Sequence, residues 1–179
     1  IYKTNNRFKD LFFALSHGVN YGKLKKRNID DREIFLNTLI EKNKKFTFNI
    51  LGYADEQPKW NYQFYKEIAK CKMALNLSRG RAMKYYSSNR IASLVANGIM
   101  TFIDNKVGYS KFFNDNEMGF YKNAEDLLNQ MDKLHGNMNK INKISKNGKR
   151  RYFSIFNNLI VADYIISKTF NKNGKFRYI

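Results

Sequence analysis

The chain has 179 residues and a formal net charge of +18, from 33 Lys and Arg against 15 Asp and Glu. Its length suits one domain, or two small ones, with an ordinary core, and a 43% hydrophobic share with 16% aromatics excludes a disordered chain despite the charge. The single cysteine, Cys71, excludes an internal disulfide and, with His17 and His135 as the sole histidines, makes a zinc site untenable. An intracellular, cytoplasmic setting without a structural metal is therefore expected. No apolar run reaches the roughly 18 residues that cross a bilayer, and the first residues lack a secretory core.

Residues 1–10 form a polar lead-in to LFFAL, residues 11–15, the first predicted strand. A glycine-containing loop, SHGVNYGKLKKRN, leads to DDREIFLNTLIEKN, whose Ile34, Leu36, Leu39 and Ile40 carry helical spacing. Asp30 with Glu33 three residues later reads as a capping box, so a helix is predicted to begin there. FTFNILGY, 46–53, is a second β-rich run ended by glycine. Pro58 precedes WNYQFYKEIAKC, where Tyr62, Tyr65, Ile68 and Ala69 fall on one helical face; aromatics at that spacing read first as core, and second, with Trp60, as a stacking surface for a nucleobase. MALNL (73–77), SSNRIASLVANG (87–98) and IMTFI (99–103) predict strand, helix and strand, and MGFY (118–121) adds a fifth strand.

Continuously apolar strands separated by helix-length segments predict an α/β fold, a Rossmann-like doubly wound parallel sheet covered on both faces. Beyond residue 123 the pattern is helical: NAEDLLNQMDKL, NMNKINKISKNG, then a long closing helix over 149–170 and a tail over 171–179. Residues 1–179 thus read as one domain with a helical C-terminal extension.

Ligands of such sheets sit beyond the C-terminal strand ends. That places three loops on one rim: Ser16 to Arg27, Gly52 to Lys59, and Ser78 to Ser88. The first carries Gly18 and Gly22 with Lys23 and Arg27. The third carries Arg79, Gly80, Arg81 and Lys84, then Tyr85, Tyr86, Ser87 and Ser88. Glycines permit close backbone approach, and guanidinium groups clamp phosphate, so the rim suits a phosphate-bearing ligand. Neither loop has the P-loop spacing or the G-x-G-x-x-G fingerprint. Arg90 falls in the first turn of its predicted helix, where a cation opposes the macrodipole; an anion held between them would explain it. His17, directly after the first strand, has the position of a general base or a phosphate hydrogen-bond donor.

The run SNRIASLVANGIMTFID resembles the C-terminal, nucleotide-sugar-binding domain of group 1 glycosyltransferases with the GT-B fold. Arg90, Ala96 and Gly98 match that family's R-x-x-E-x-x-A-x-G pattern. EIAKCKMALNLS, EMGFYKNAEDLLNQMDKL and KNGKRRYFSIFNNLIVADYI are similar to its preceding strand, its acidic turn and its closing helix. The nearest subgroup is the bacterial spore-maturation type. The resemblance implies one half of a GT-B fold that binds a nucleotide diphosphate sugar, UDP- or GDP-linked, without a metal. It also implies a separate N-terminal acceptor domain, where the family commonly places its base, and transfer to a glycan, lipid or protein acceptor. Arg90, Ser87 and Ser88 would then hold the diphosphate, and Ser93, standing where the family has glutamate, would lie near ribose or sugar. Lys23 or Arg27 would add a second cation, and Gly52 and Tyr53 would border the nucleobase.

Two other readings compete. The +18 charge suits a nucleic-acid-binding module, although the basic residues are scattered and no nucleic-acid motif is present. Ser93 also admits a domain that lacks a working donor site and serves only in assembly. A face bearing Lys140, Lys143 and Lys146 is expected to rest peripherally on an anionic inner membrane surface.

Overall fold

The computed structural model describes residues 7–15, 31–54 and 56–172. Its elements are β1 (Lys9–Ala14), α1 (Asp31–Lys42), β2 (Phe48–Leu51), α2 (Asn61–Ala69), β3 (Cys71–Asn76), α3 (Arg90–Val95), β4 (Met100–Asp104), β5 (Gly119–Tyr121), α4 (Ala124–Leu134), α5 (Met138–Ile155) and α6 (Asn158–Thr169). All five predicted strands form, joined in one sheet of order β2-β1-β3-β4-β5 in which every pairing is parallel. Leu11 pairs with both Phe48 and Met73, and Met73 with Met100.

The strands are apolar on both faces because both are covered. Leu11, Phe13, Met73, Leu75, Met100, Phe102 and Tyr121 meet Leu36 and Leu39 of α1 and Leu127, Met131 and Leu134 of α4. Phe12, Ala74 and Cys71 face Ile68 of α2 and Leu94 of α3 on the other side. Helix α1 begins at Asp31, where the sequence places it; Asp30 lies outside the described residues.

Helix α2 divides the predicted stripe. Ile68 and Ala69 are buried, but Tyr62 and Tyr65 are exposed, and Phe64 takes the core position instead, edge-on to Phe12 at 5.5 Å. Phe64 and Ile68, four residues apart, define the true inner face. Tyr62 lies outside, under the ammonium of Lys66 at 4.3 Å.

The closing helix over 149–170 is two helices. Helix α5 runs through Gly148, where the sequence pattern ends a helix, because α5 lies directly on the backbone before β5. A Cβ on Gly148 would stand 2.1 Å from the Glu117 carbonyl oxygen. The break falls at Phe156 and Asn157 instead. There the Asn157 side chain accepts from the Ile160 backbone N–H at 3.0 Å and donates to the Phe153 carbonyl at 2.9 Å, so one residue caps α6 and closes α5. Helix α6 is apolar on most sides, yet Leu159, Ile165, Ile166 and Phe170 are exposed. None of the helices among the described residues is long and apolar enough to cross a membrane.

One polar cluster fastens the sheet's N-terminal edge. Asp10, 6% exposed, accepts from Lys72 Nζ at 2.7 Å, from the Thr47 backbone N–H at 2.8 Å and from Thr47 Oγ1 at 2.9 Å, tying β1 to β3 and to the lead-in of β2. Burial pushes the Asp10 carboxyl up, but the Lys72 and Thr47 hydrogen bonds outweigh it and hold the group below the usual carboxylate range. A depressed folded pKa contributes stability that is present above the ordinary value and lost as pH falls through the folded one. We therefore expect Asp10→Ala to cost about 2–3 kcal/mol at neutral pH. Urea denaturation from pH 7 down to about 3 should show the native and variant curves converging as the solution is acidified below about pH 4; parallel curves would refute the assignment.

Candidate functional site

Strand order reverses between β1, whose next strand in sequence lies on one side, and β3, whose next strand lies on the other. Crevices open at the C-terminal ends of strands at such a switch point. Here the crevice is a cleft of about 640 Å³. Ala14 and Leu15 at the end of β1 and Leu51 at the end of β2 form its floor. The segment Pro58 to Asn61 with Phe64 and Tyr65 makes one wall, and Tyr86, Ser87, Ser88, Asn89, Arg90 and Ser93 make the other.

Arg90 spans the top of the sheet. Its backbone starts α3 on one face, while its guanidinium donates to the Leu77 carbonyl at 3.0 Å and lies over the Phe13 ring, 4.8 Å from the centroid. The predicted helix over 87–98 is shorter than expected: α3 has six residues, held by buried Ile91, Leu94 and Val95. A helix so short supplies little dipole, so Arg90's placement follows from the strand ends it bridges rather than from the helix N-terminus.

Around it lie polar atoms with unmet capacity. Ser87 Oγ accepts from Asn76 Nδ2 at 2.7 Å and donates to the Ser88 carbonyl at 3.3 Å. Among the described residues, Asn76 Oδ1, Ser88 Oγ and Tyr121 Oη are buried without a hydrogen-bond partner. Burial drives the Tyr121 phenol far above its ordinary value, with Asp104 pushing the same way and Arg90 opposing, so it stays a neutral hydroxyl.

The opposite wall is aromatic. Trp60, at 62% exposure, stands at the N-cap of α2 in extended backbone, ahead of Asn61 at φ +48°. Tyr65 is also exposed on this wall, and Tyr86 is exposed on the facing one, beside Ser87. Lys59 adds a cation on this side, held by Glu56 at 2.9 Å and Glu67 at 3.3 Å. The Glu56 hydrogen bond is the main cause of its raised pKa, so it is charged at neutral pH.

Of the residues singled out from sequence, the cleft gathers Tyr86, Ser87, Ser88, Arg90 and Ser93. Gly52 lies beneath it at the end of β2, and the Tyr53 hydroxyl is turned to Asn37 of α1. Ser78 does not line the cleft, and Arg79, Arg81 and Lys84 are exposed outside it, Lys84 against the Tyr85 ring at 5.1 Å. His17, Gly18, Lys23 and Arg27 lie outside the described residues. Sequence reasoning ranked a core role for Trp60 and Tyr65 above a stacking one, against a signal it did not use. The signal was the lone proline: Pro58 delays the helix, leaving Trp60 outside it and off the periodic face.

A parallel five-stranded sheet with a cleft at its switch point defines a Rossmann-like domain, one half of a GT-B fold. Residues 27–166 match the glycosyl transferase-like family, and the chain belongs to that family. It is similar in fold to the crystal structure of TarM, with a TM-score of 0.62 and 11% identity over 95% of this chain and 36% of that one. It is likewise similar to sucrose-phosphate synthase from Thermosynechococcus elongatus, with a TM-score of 0.52 and 13% identity over 80% of this chain and 35% of that one. The chain thus spans about a third of the length of these solved structures. No curated protein matches it.

Proposed function

We propose that this chain is the donor-binding half of a glycosyltransferase, of hexosyltransferase type and nearest to the spore-maturation subgroup, seating a UDP- or GDP-sugar in the switch-point cleft. The observation that carries this reading is the cleft's two-sided chemistry: Arg90 with two serine hydroxyls on one wall, and exposed Trp60, Tyr65 and Tyr86 around it. Guanidinium and hydroxyls suit a diphosphate; flat aromatic faces suit a base. During transfer, negative charge grows on the departing nucleoside diphosphate, and Arg90 would neutralise it, which is leaving-group stabilisation by a fixed cation. Ser93, half-buried on the same wall, would meet a ribose or sugar hydroxyl without adding charge. The acceptor is a glycan, a lipid-linked sugar or a protein, presented by a further N-terminal half, and the exposed apolar side of α6 is the surface on which that half rests. The exposed Lys140, Lys143 and Lys146 of α5 suit a cytoplasmic enzyme leaning on an anionic membrane.

Trp60 is the chain's only tryptophan, so its fluorescence reports the cleft directly. Titration with UDP, GDP and CDP at 50 and 200 mM salt is expected to quench it with one nucleotide preferred and little salt dependence. Trp60→Ala should weaken that nucleotide roughly 5- to 50-fold in calorimetry, the worth of one base stack. Failure to bind any nucleotide, with tight oligonucleotide binding that collapses at higher salt, would favour the nucleic-acid-binding alternative.

A further inference from the structure

Asn76 ends β3 at 2% exposure, in a strand whose preceding residues Met73, Ala74 and Leu75 are all apolar and buried. Packing alone would be served there by a leucine, and a buried amide is costly unless it is hydrogen-bonded. Its one bond runs outward to the cleft wall, from Nδ2 to Ser87 Oγ. Ser87 sends its own proton to the Ser88 carbonyl over 3.3 Å, a long contact for a hydroxyl donor. With a lone pair taken by the Asn76 amide, the Ser87 hydroxyl has one proton to give, and a charged phosphate oxygen is a stronger acceptor than that distant carbonyl. The Tyr109 phenol, raised by burial, is drawn down by a hydrogen bond with the same Ser87 hydroxyl, so Tyr109 is a second neutral partner that a charged phosphate oxygen would outcompete.

We infer that Asn76 is a positioning residue for the diphosphate: it holds Ser87 Oγ as a donor aimed into the cleft and touches no ligand itself. This rests on the donor-site reading above and deepens it by separating the phosphate-holding pair from the base-holding wall. Asn76 acts through Ser87, so the two must be coupled.

The test is a double-mutant cycle on the 179-residue chain, titrated with the preferred nucleoside diphosphate and with its nucleoside. Asn76→Ala and Ser87→Ala are each expected to weaken the diphosphate roughly 10-fold, a hydrogen bond to a charged acceptor, while leaving nucleoside affinity unchanged. The double variant should be no weaker than Ser87→Ala alone. Unchanged nucleoside affinity in each variant shows that it is folded; Asn76→Asp keeps the shape but only accepts, so it takes the Ser87 proton from the ligand, adds a repelling charge, and should weaken diphosphate at least as much as Asn76→Ala. Multiplying losses in the double variant, or equal losses for nucleoside and diphosphate, would overturn the relay and leave the donor site standing. A native chain that binds neither compound would overturn both.

Discussion

Arg90→Ala is expected to weaken nucleoside diphosphate binding by roughly 30- to 100-fold or more, the loss of a charge-assisted contact in a partly enclosed site. Nucleoside affinity should stay nearly constant, because the aromatic wall is untouched. The guanidinium is fixed before any ligand arrives: Leu77 accepts one of its N–H groups at 3.0 Å, and the Phe13 face lies beneath it at 4.8 Å. Pre-organisation of this kind removes the ordering cost a mobile side chain would carry. Arg90→Lys should recover little, since an ammonium cannot hold the Leu77 carbonyl and present a planar fork together. The same contacts give Arg90 a share in stability, so the alanine variant should also lose about 1–2 kcal/mol. Calorimetric titration beside thermal denaturation separates the two effects. Unchanged diphosphate affinity in a folded variant would remove Arg90 from the site.

Gly52→Ala should be the most damaging single methyl addition near the cleft. Gly52 has φ +70°, a left-handed conformation that alanine disfavours, and its added Cβ would lie 2.3 Å from the Leu15 carbonyl oxygen. Both partners are backbone, so no side chain can swing aside. The Leu15 N–H donates to the Leu51 carbonyl at 2.9 Å in the same place, and moving Gly52 pulls on that bond. Strain of a few kcal/mol is expected, about 2–4, which lowers the melting temperature by roughly 5–15 °C for a chain of this size. Leu15 and Leu51 floor the cleft, so the surviving folded fraction should bind nucleotide more weakly. A shift under about 2 °C would show that the β2 turn is not packed against β1.

The strands were legible because each is a short apolar run, and a run buried on both faces has no alternation to misread. Their order was not written in any run; it is set by how the helices distribute over the two faces. Arg90, Ser87 and Ser88 could be picked out from the sequence, since these residue types suit an anion, and the structure gathers them on one wall. The aromatic side was open to two readings. Tyr62 and Tyr65 share helical spacing with Ile68, and periodicity cannot say which of two neighbouring faces turns inward; Phe64 packing on Phe12 decided it. Gly148 likewise reads as a helix end, whereas its meaning is contact with the Glu117 carbonyl, a neighbour 31 positions away.

By itself, then, the sequence determined the α/β class, the five strands and the cluster of Arg, Lys and Ser residues after β3, because local propensity and burial pattern act within a few residues. Tertiary structure alone decided that Arg90 bridges β1 and β3, that Asn76 stands behind Ser87, and that Trp60 faces them across a cleft. Those relations join residues 11 to 77 positions apart in the chain, brought together by the sheet's crossover connections.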